Sequence, residues 1–500
     1  MTEAYKKLES KFRKNSHIGG AISMLGWDSA TMMPSGGGNA RAQQIATLAE
    51  IYHENMTSSE MADLLSSAES DIDDLLDWEK VSLREMRRKY NHAVAVPTDL
   101  VSKISEQSSK CEKIWRGARL ENDFQKVAPD LEEMINLVRE SAFAKSEALS
   151  VSPYDALLDE YDPYNSSENI DAVFSNLEGF LPDFLNEVIE YQLQEEQPIP
   201  LSGNFPIDKQ EEIGRKLAEQ MGFSFDKGRL DSSAHPFSGG IPDDVRMTTR
   251  YTATDPNWAI RAIMHETGHA LYDQNFPAEW RGLPIGEANN IGMTIHESQS
   301  LTYDMYVGCG RPFYNYLADL YKDAFGSHEA LSADNLHKLN TRVERSFIRV
   351  DADEVTYPIH VILRYRLEQD LISGKLQVKD LPEAWNSMME KMMGVRPPSD
   401  REGCLQDIHW YEGALGYFPT YSLGAMTAAQ FFDQAHKDIS DLDKNLEDGN
   451  FSVLVDWQKK NIHSKGFLLK PQELIEDVTG QRLNPEIYKD HLRKRYLGRN

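Results

Sequence analysis

Apolar residues recur three and four positions apart through most of this 500-residue chain. That helical period constrains the fold more than any other feature. "LDWEKVSLREMRRKY" (76–90) and "DLEEMINLVRESAFAKSEAL" (130–149) carry the pattern between charged residues. "SSENIDAVFSNLEGFLPDFLNEVIEYQLQEE" (166–196) repeats it in two segments that break near Pro182. Further on, Asp255-Pro256 reads as a capped helix start before "NWAIRAIMHETGHAL", with proline at the first helical position, where its missing N–H costs nothing. The next helix is predicted to begin near Asn289 and to carry "NIGMTIHESQSLTYDMYVG". A long later one is predicted through "IRVDADEVTYPIHVILRYRLEQDLI" (348–372). The chain is expected to be mainly α.

One stretch reads differently. "GRLDSSAHPFSGGIPDDVRMTTRYTATD" (228–255) is rich in Gly, Ser and Pro, and its "VRMTTRYT" suits a strand. It predicts a short antiparallel β ribbon just ahead of the helix that follows. Length alone suggests roughly three domains. The unusual segments are scattered from 231 to 424, however, and no repeat or disordered linker separates them. One intertwined unit over residues 1–500 is expected instead.

The formal net charge of -27 disfavours nucleic acid and anionic membranes as partners, since both bind through clustered positive charge. Its ordinary meaning is a solvated acidic surface. No run approaches the roughly 18 apolar residues of a membrane span. The start, "MTEAYKKLESKFRK", lacks the apolar core of a secretory signal. Cys111, Cys309 and Cys404 are few, odd in number and far apart, which argues against a disulfide scaffold and fits a reducing cytoplasm.

Within the capped helix stands His265-Glu266-Thr267-Gly268-His269. Residues four apart project from one helix face, so both imidazoles can reach one zinc at about 2.0–2.1 Å. Glu266 is turned too far round to chelate easily but is placed to reach a metal-bound water, the general-base position of H-E-x-x-H peptidases. Given 14 His and 80 acidic residues, chance supplies roughly 0.06 such matches; the bland alternative is a solvated histidine pair. A catalytic zinc needs a third protein ligand and an open position. Tyr272 and Asn275 stand where a metzincin has glycine and histidine, which excludes that class. A downstream glutamate remains. Spacing does not separate Glu287, in a Pro/Gly-flanked turn, from Glu297, two turns into a predicted helix; the helical placement favours Glu297.

These elements resemble the carboxypeptidase Taq family of metallocarboxypeptidases. The resemblance rests on six short motifs in family order. They are His235 to Phe237 (H-P-F), Asp244, Arg246 and Thr248 (D-x-R-x-T), and His265 to His269. Next come His296 to Gln299 (H-E-S-Q), then Ile348, Arg349, Ala352 and Asp353, and finally Gly403, Gln406, Asp407, His409 and Trp410. It implies a single large helical catalytic unit with a deep central groove, similar to angiotensin-converting enzyme and neurolysin. Residues 1–200 would form a helical wall or lid and 201–500 the zinc-site half. It also implies one zinc per subunit, or cobalt in its place, bound by His265, His269 and Glu297. The implied activity is release of single C-terminal amino acids with broad preference from peptides with a free C-terminus, commonly by a homodimer.

A developing oxyanion needs donors beyond the metal, and "QDIHWYEGALGYFPTYSLG" offers His409, Tyr417 and Tyr421. Its His-then-two-Tyr layout looks like the transition-state-binding segment of angiotensin-converting enzyme. Tyr421 and His409 are favoured, with simple packing the alternative for each tyrosine. A free carboxylate calls for arginine's planar fork. Arg349 and Arg246 are the candidates, against structural ion pairs with Asp353 or Asp244; Arg349 is preferred. His235 either positions substrate or locks the ribbon, with a lean to the latter, and His360 reads as a satisfied core histidine. Two rival functions stay open: a zinc oligo-endopeptidase or peptidyl-dipeptidase on the same scaffold, and a non-catalytic helical binding protein.

Overall fold

The computed structural model describes residues 2–499. They divide into two compact units, each assembled from three stretches of chain. The first takes the segment ending at Ala93, Pro198–Asn340 and Thr427–Leu483; the second takes Val94–Gln197, Thr341–Met426 and the segment from Asn484 onward. Both are helical, and among the described residues no helix is long and apolar enough to cross a membrane.

The periodic stretches form the helices they predict. Asp77–Ala95 and Ala128–Leu149 are helical, and the 166–196 stretch gives Ser167–Glu178 and Leu181–Gln194, parted next to Pro182. Two predicted starts shift. The helix expected from Asn289 begins at Met293, after a one-turn 3-10 segment at Ala288–Asn290. Gly292 between them has φ 109°, a left-handed conformation that no α-helix continues through. The helix expected from 348 begins at Tyr357. There the Asp353 carboxylate accepts the Val355 and Thr356 N–H groups at 2.9 and 3.0 Å, closing a turn instead of a helical repeat.

In the first unit the Gly/Ser/Pro-rich stretch forms β1 (Gly228–Ser232), β2 (Phe237–Ile241) and β3 (Asp244–Thr249) in the order β1-β3-β2. The β2–β3 arm is antiparallel, as expected, and turns through Pro242 and Asp243. β1 differs from the expected ribbon, because it adds to the other edge of β3 in parallel, Leu230 opposite Met247. The chain leaves β1, runs out to the far edge as β2 and returns through the centre. β3 turns Val245 and Met247 inward onto Ile263 and Ala270 of the Pro256–Asn275 helix, with Ala218 and Phe223 completing the cluster. Burial of those side chains fixes the sheet against the helix that carries both histidines.

The second unit is tied at its C-terminal end by the Pro485–Leu497 helix. Glu354 is buried and its carboxylate accepts from His491 Nε2 at 2.7 Å, Arg495 Nη1 at 2.8 Å and the Tyr496 hydroxyl at 3.1 Å. A buried carboxylate with this many donors is satisfied and pins the helix to the loop ahead of Tyr357.

Candidate active site

The Asp255 carboxylate accepts the Asn257 N–H at 2.9 Å and Pro256 occupies the first turn, so the Pro256–Asn275 helix starts where its sequence predicts. His265 and His269 leave this helix on one face. Their Nε2 atoms meet Glu297 of the Met293–Leu301 helix at 3.8 Å (Oε1) and 3.4 Å (Oε2). Ligands about 2.0–2.1 Å from a tetrahedral ion lie about 3.3 Å apart, and the three donor atoms here all fall within 4.8 Å of one another. Two imidazoles and one carboxylate leave a fourth position open, as a catalytic zinc requires. Glu287 stays outside the cluster and accepts from Asn290 in its own turn.

Glycine makes this convergence possible. A Cβ on Gly268 would lie 2.5 Å from both the Gln299 carbonyl oxygen and the Ser300 Cα. The two helices therefore touch backbone to backbone one residue before His269, and no larger residue fits without pushing them apart. Gly268→Ala is expected to weaken metal binding roughly 10- to 100-fold, the range seen when groups that orient ligands are disturbed. Titration calorimetry measures this, and an unchanged affinity would show that the helices accommodate the methyl group.

The far side of each imidazole is also held. His265 Nδ1 lies 3.7 Å from Asp304 Oδ2, and Arg261 donates to Asp304 Oδ1 at 2.9 Å. Asp304 sits in a π-helical turn, Thr302–Val307, directly after the Glu297 helix, the kind of irregular turn found at functional sites. His269 Nδ1 is 2.6 Å from His296 Nδ1, whose Nε2 lies 3.5 Å from Asp273 Oδ1. With the proton on His269 Nδ1, donated to His296, His269 Nε2 keeps its lone pair for a metal. Burial lowers the His269 pKa to about 4 and favours this neutral form. Burial also opposes charge on His265, but the carboxylates of Glu297, Asp304 and Glu266 outweigh it and raise the pKa to about 9.

Glu266 is buried beside the cluster. Burial pushes its carboxyl up to about 7, against the lowering effect of His265 and of a hydrogen bond from Ser238 on β2. A carboxyl in that range suits proton transfer near neutral pH. In the same unit Arg246 is engaged bidentately by Asp244 at 2.9 and 2.8 Å and lies 4.2 Å over the Trp27 ring. The Thr248 hydroxyl bonds that of Ser233 at 2.7 Å and accepts the Phe237 N–H at 3.1 Å. The side chain of His235 is exposed and its carbonyl accepts from Ser233. These D-x-R-x-T and H-P-F contacts lock the sheet and its β1–β2 loop.

The second unit gathers the other predicted residues. Arg349 donates from Nε and Nη2 to Asp407 Oδ1 at 3.1 and 2.9 Å, and from Nη1 to the Tyr357 hydroxyl at 3.1 Å. Its ion pair is thus with Asp407 and not with Asp353, whose carboxylate caps a turn. Three of the five N–H groups of a guanidinium are engaged this way. The Arg349 guanidinium lies 5.0 Å from the Tyr421 ring centre, and the rings of Tyr417 and Tyr421 are 5.2 Å apart. His409 stands 5.7 Å from Tyr417 and 6.4 Å from Tyr421. All three are half-buried. Burial, helped by Arg349 and Arg364 and opposed by Asp407, lowers His409 to about 4, so at neutral pH it is an uncharged imidazole with one N–H to donate. His360 is buried in the core, as expected, but it is satisfied on one nitrogen only: Nε2 lies 3.1 Å from the Ser346 carbonyl oxygen, while Nδ1 has no hydrogen-bond partner.

Sequence reasoning missed several supporting groups. Arg364 donates to Asp407 Oδ2 at 2.7 Å and to Gln406 at 2.8 Å, and Glu368 accepts from Trp410 at 2.7 Å. Helical spacing is the signal that groups them: His360, Arg364 and Glu368 recur every four residues on one face of a helix that also carries Arg366, Gln369 and Asp370. Asp304 follows Glu297 by seven residues, two turns on, and could have been found the same way.

The family model for carboxypeptidase Taq (M32) metallopeptidases matches residues 7–496. Thermostable carboxypeptidase 1 of Thermus thermophilus is 35% identical over 503 residues, covering 99% of this chain and 98% of the relative. Carboxypeptidase 1 of Bacillus subtilis is 33% identical over 98% of this chain and 97% of its own. Among solved structures, Trypanosoma cruzi metallocarboxypeptidase 1 superimposes with a TM-score of 0.97 at 37% identity, covering 99% of this chain and 100% of the other.

Proposed function

This chain belongs to the carboxypeptidase Taq (M32) metallopeptidase family and is a metallocarboxypeptidase acting on peptides; from that premise we propose that it releases single C-terminal amino acids, with broad preference, using zinc held by His265, His269 and Glu297. The observation that carries this reading is the convergence of the two imidazoles and Glu297 on one point beside the buried Glu266. When bound, the ion supplies Lewis acidity and lowers the pKa of water towards about 7.

Glu266 accepts the proton of the water that attacks the scissile carbonyl carbon, and it later delivers that proton to the departing amine nitrogen as the C–N bond breaks. The products are the free amino acid and a peptide shortened by one residue. His409 and Tyr421, with Tyr417 beside them, donate hydrogen bonds to the carbonyl oxygen as it gains charge, each worth about 3–4 kcal/mol when preorganised. Arg349 binds the substrate's terminal carboxylate. Support for this is its fixed orientation against Asp407 and Tyr357 and the two N–H groups those bonds leave over. Arg246 and His235 serve the substrate through the sheet they lock. On the family resemblance, the working form is a cytoplasmic homodimer, and cobalt can replace zinc.

Stripping the protein with a chelator is expected to abolish peptide cleavage. Stoichiometric zinc or cobalt is expected to restore it, with elemental analysis reporting one ion per chain. Undiminished cleavage by protein shown to be metal-free would overturn the metal's role.

A further inference from the structure

Glu368 is wholly buried in the Tyr357–Ser373 helix. Three donors converge on its carboxylate: Trp410 Nε1–H to Oε1 at 2.7 Å, the Tyr154 hydroxyl to Oε2 at 2.8 Å, and the Gly416 N–H to Oε2 at 3.0 Å. Arg364, one helical turn earlier, is committed to Asp407 and Gln406. Two of the three donors flank predicted reaction residues, since Trp410 directly follows His409 and Gly416 directly precedes Tyr417. At Gly416 the backbone has φ 92°, and a Cβ there would lie 3.0 Å from the Leu157 carbonyl carbon and the Leu158 nitrogen. The loop is therefore pressed against the Pro153–Tyr161 helix on one side and tied to Glu368 on the other.

We propose that Glu368 is a positioning residue for the reaction: its carboxylate pins both ends of the Trp410–Gly416 loop and so sets the placement of His409 relative to Tyr417. The inference rests on the reading of His409, Tyr417 and Tyr421 as oxyanion donors. Packing alone does not call for a carboxylate here, because burying one costs stability unless hydrogen bonds offset it. Burial pushes this carboxyl up to about 7 even with its three donors in place. An amide cannot substitute. Glutamine has one accepting oxygen, and its NH2 would face either the indole N–H or the Gly416 N–H, leaving one loop bond unmade.

Four variants test this by steady-state peptide hydrolysis above neutral pH, with metal content checked by elemental analysis. Glu368→Gln is expected to lower kcat about 10-fold or more with KM within about twofold, the signature of lost alignment in the transition state. Trp410→Phe breaks the same bond from the loop side and is expected to reproduce the loss, so it carries the test if Glu368→Gln folds poorly. Tyr154→Phe removes the one donor outside the loop and is expected to keep kcat within about twofold. Amide hydrogen exchange across 408–418 should accelerate in Glu368→Gln and not in Tyr154→Phe. Equal losses in Glu368→Gln and Tyr154→Phe would reduce Glu368 to a structural role and overturn the proposal. So would a loss in His409→Ala with wild-type kcat in both Glu368→Gln and Trp410→Phe. Wild-type kcat in His409→Ala would instead sink the oxyanion reading beneath it.

Discussion

Glu266→Gln is expected to lower kcat roughly 10^2- to 10^4-fold while the protein keeps its metal. The substitution preserves shape and burial but removes the only group at this position that can take a proton. Retention of metal follows from the helix geometry. Glu266 is rotated about 100° from His265, and its carboxylate is not one of the three donors that converge in the His265, His269 and Glu297 cluster. Elemental analysis beside the kinetics separates the two effects. Turnover within tenfold of wild type would remove Glu266 from proton transfer, and loss of metal would make it a ligand.

Asp407→Asn is expected to be the most damaging single change in the second unit. Asp407 lies between Arg349 and Arg364, accepting from Arg349 Nη2 at 2.9 Å and from Arg364 Nε at 2.7 Å, and both arginine side chains are nearly free of solvent. Asparagine leaves two buried cations without their counter-charge and turns an NH2 group towards one of them. Removing one partner from a buried ionic group costs about 3–5 kcal/mol, readable by denaturant unfolding. In the proposed function Arg349 also loses the carboxylate that orients it, so kcat/KM should fall with stability. A change within about 1 kcal/mol would mean the arginines find other partners. The pH dependence follows the same ion group. Burial opposes charge on Asp407, but Arg349 and Arg364 more than offset this and hold its carboxyl well below the usual range. A depressed carboxyl contributes its full stability above the unfolded pKa of about 3.9 and loses it only as the pH falls further.

What could be read from the residues divides by distance along the chain. The Pro256–Asn275 helix was legible because its cap, its proline and its two histidines are all local signals. Glu297 was legible because it sits on a helix whose period is visible. The start of that helix was not, because Gly292 takes a backbone conformation that its residue type permits but does not announce. The parallel pairing of β1 with β3 was hidden for the general reason that register between strands is a tertiary choice. Arg349 shows the limit most clearly. Sequence proximity suggested Asp353 as its ion-pair partner, four residues away, whereas the acid it binds is 58 residues on. Helical spacing groups Glu368 and Arg364 on one face, but Arg366, Gln369 and Asp370 on the same helix leave nothing local to say which of its polar residues are buried.

In the proposed function the chain removes residues only from a free C-terminus. Incubating it with free-acid and C-terminally amidated copies of one peptide, followed by mass spectrometry, separates this activity from internal cleavage. Stepwise loss of single residues from the free acid alone is the predicted result. Internal cuts in both copies, or release of dipeptides, would contradict it and assign the same metal centre to an endopeptidase or a peptidyl-dipeptidase.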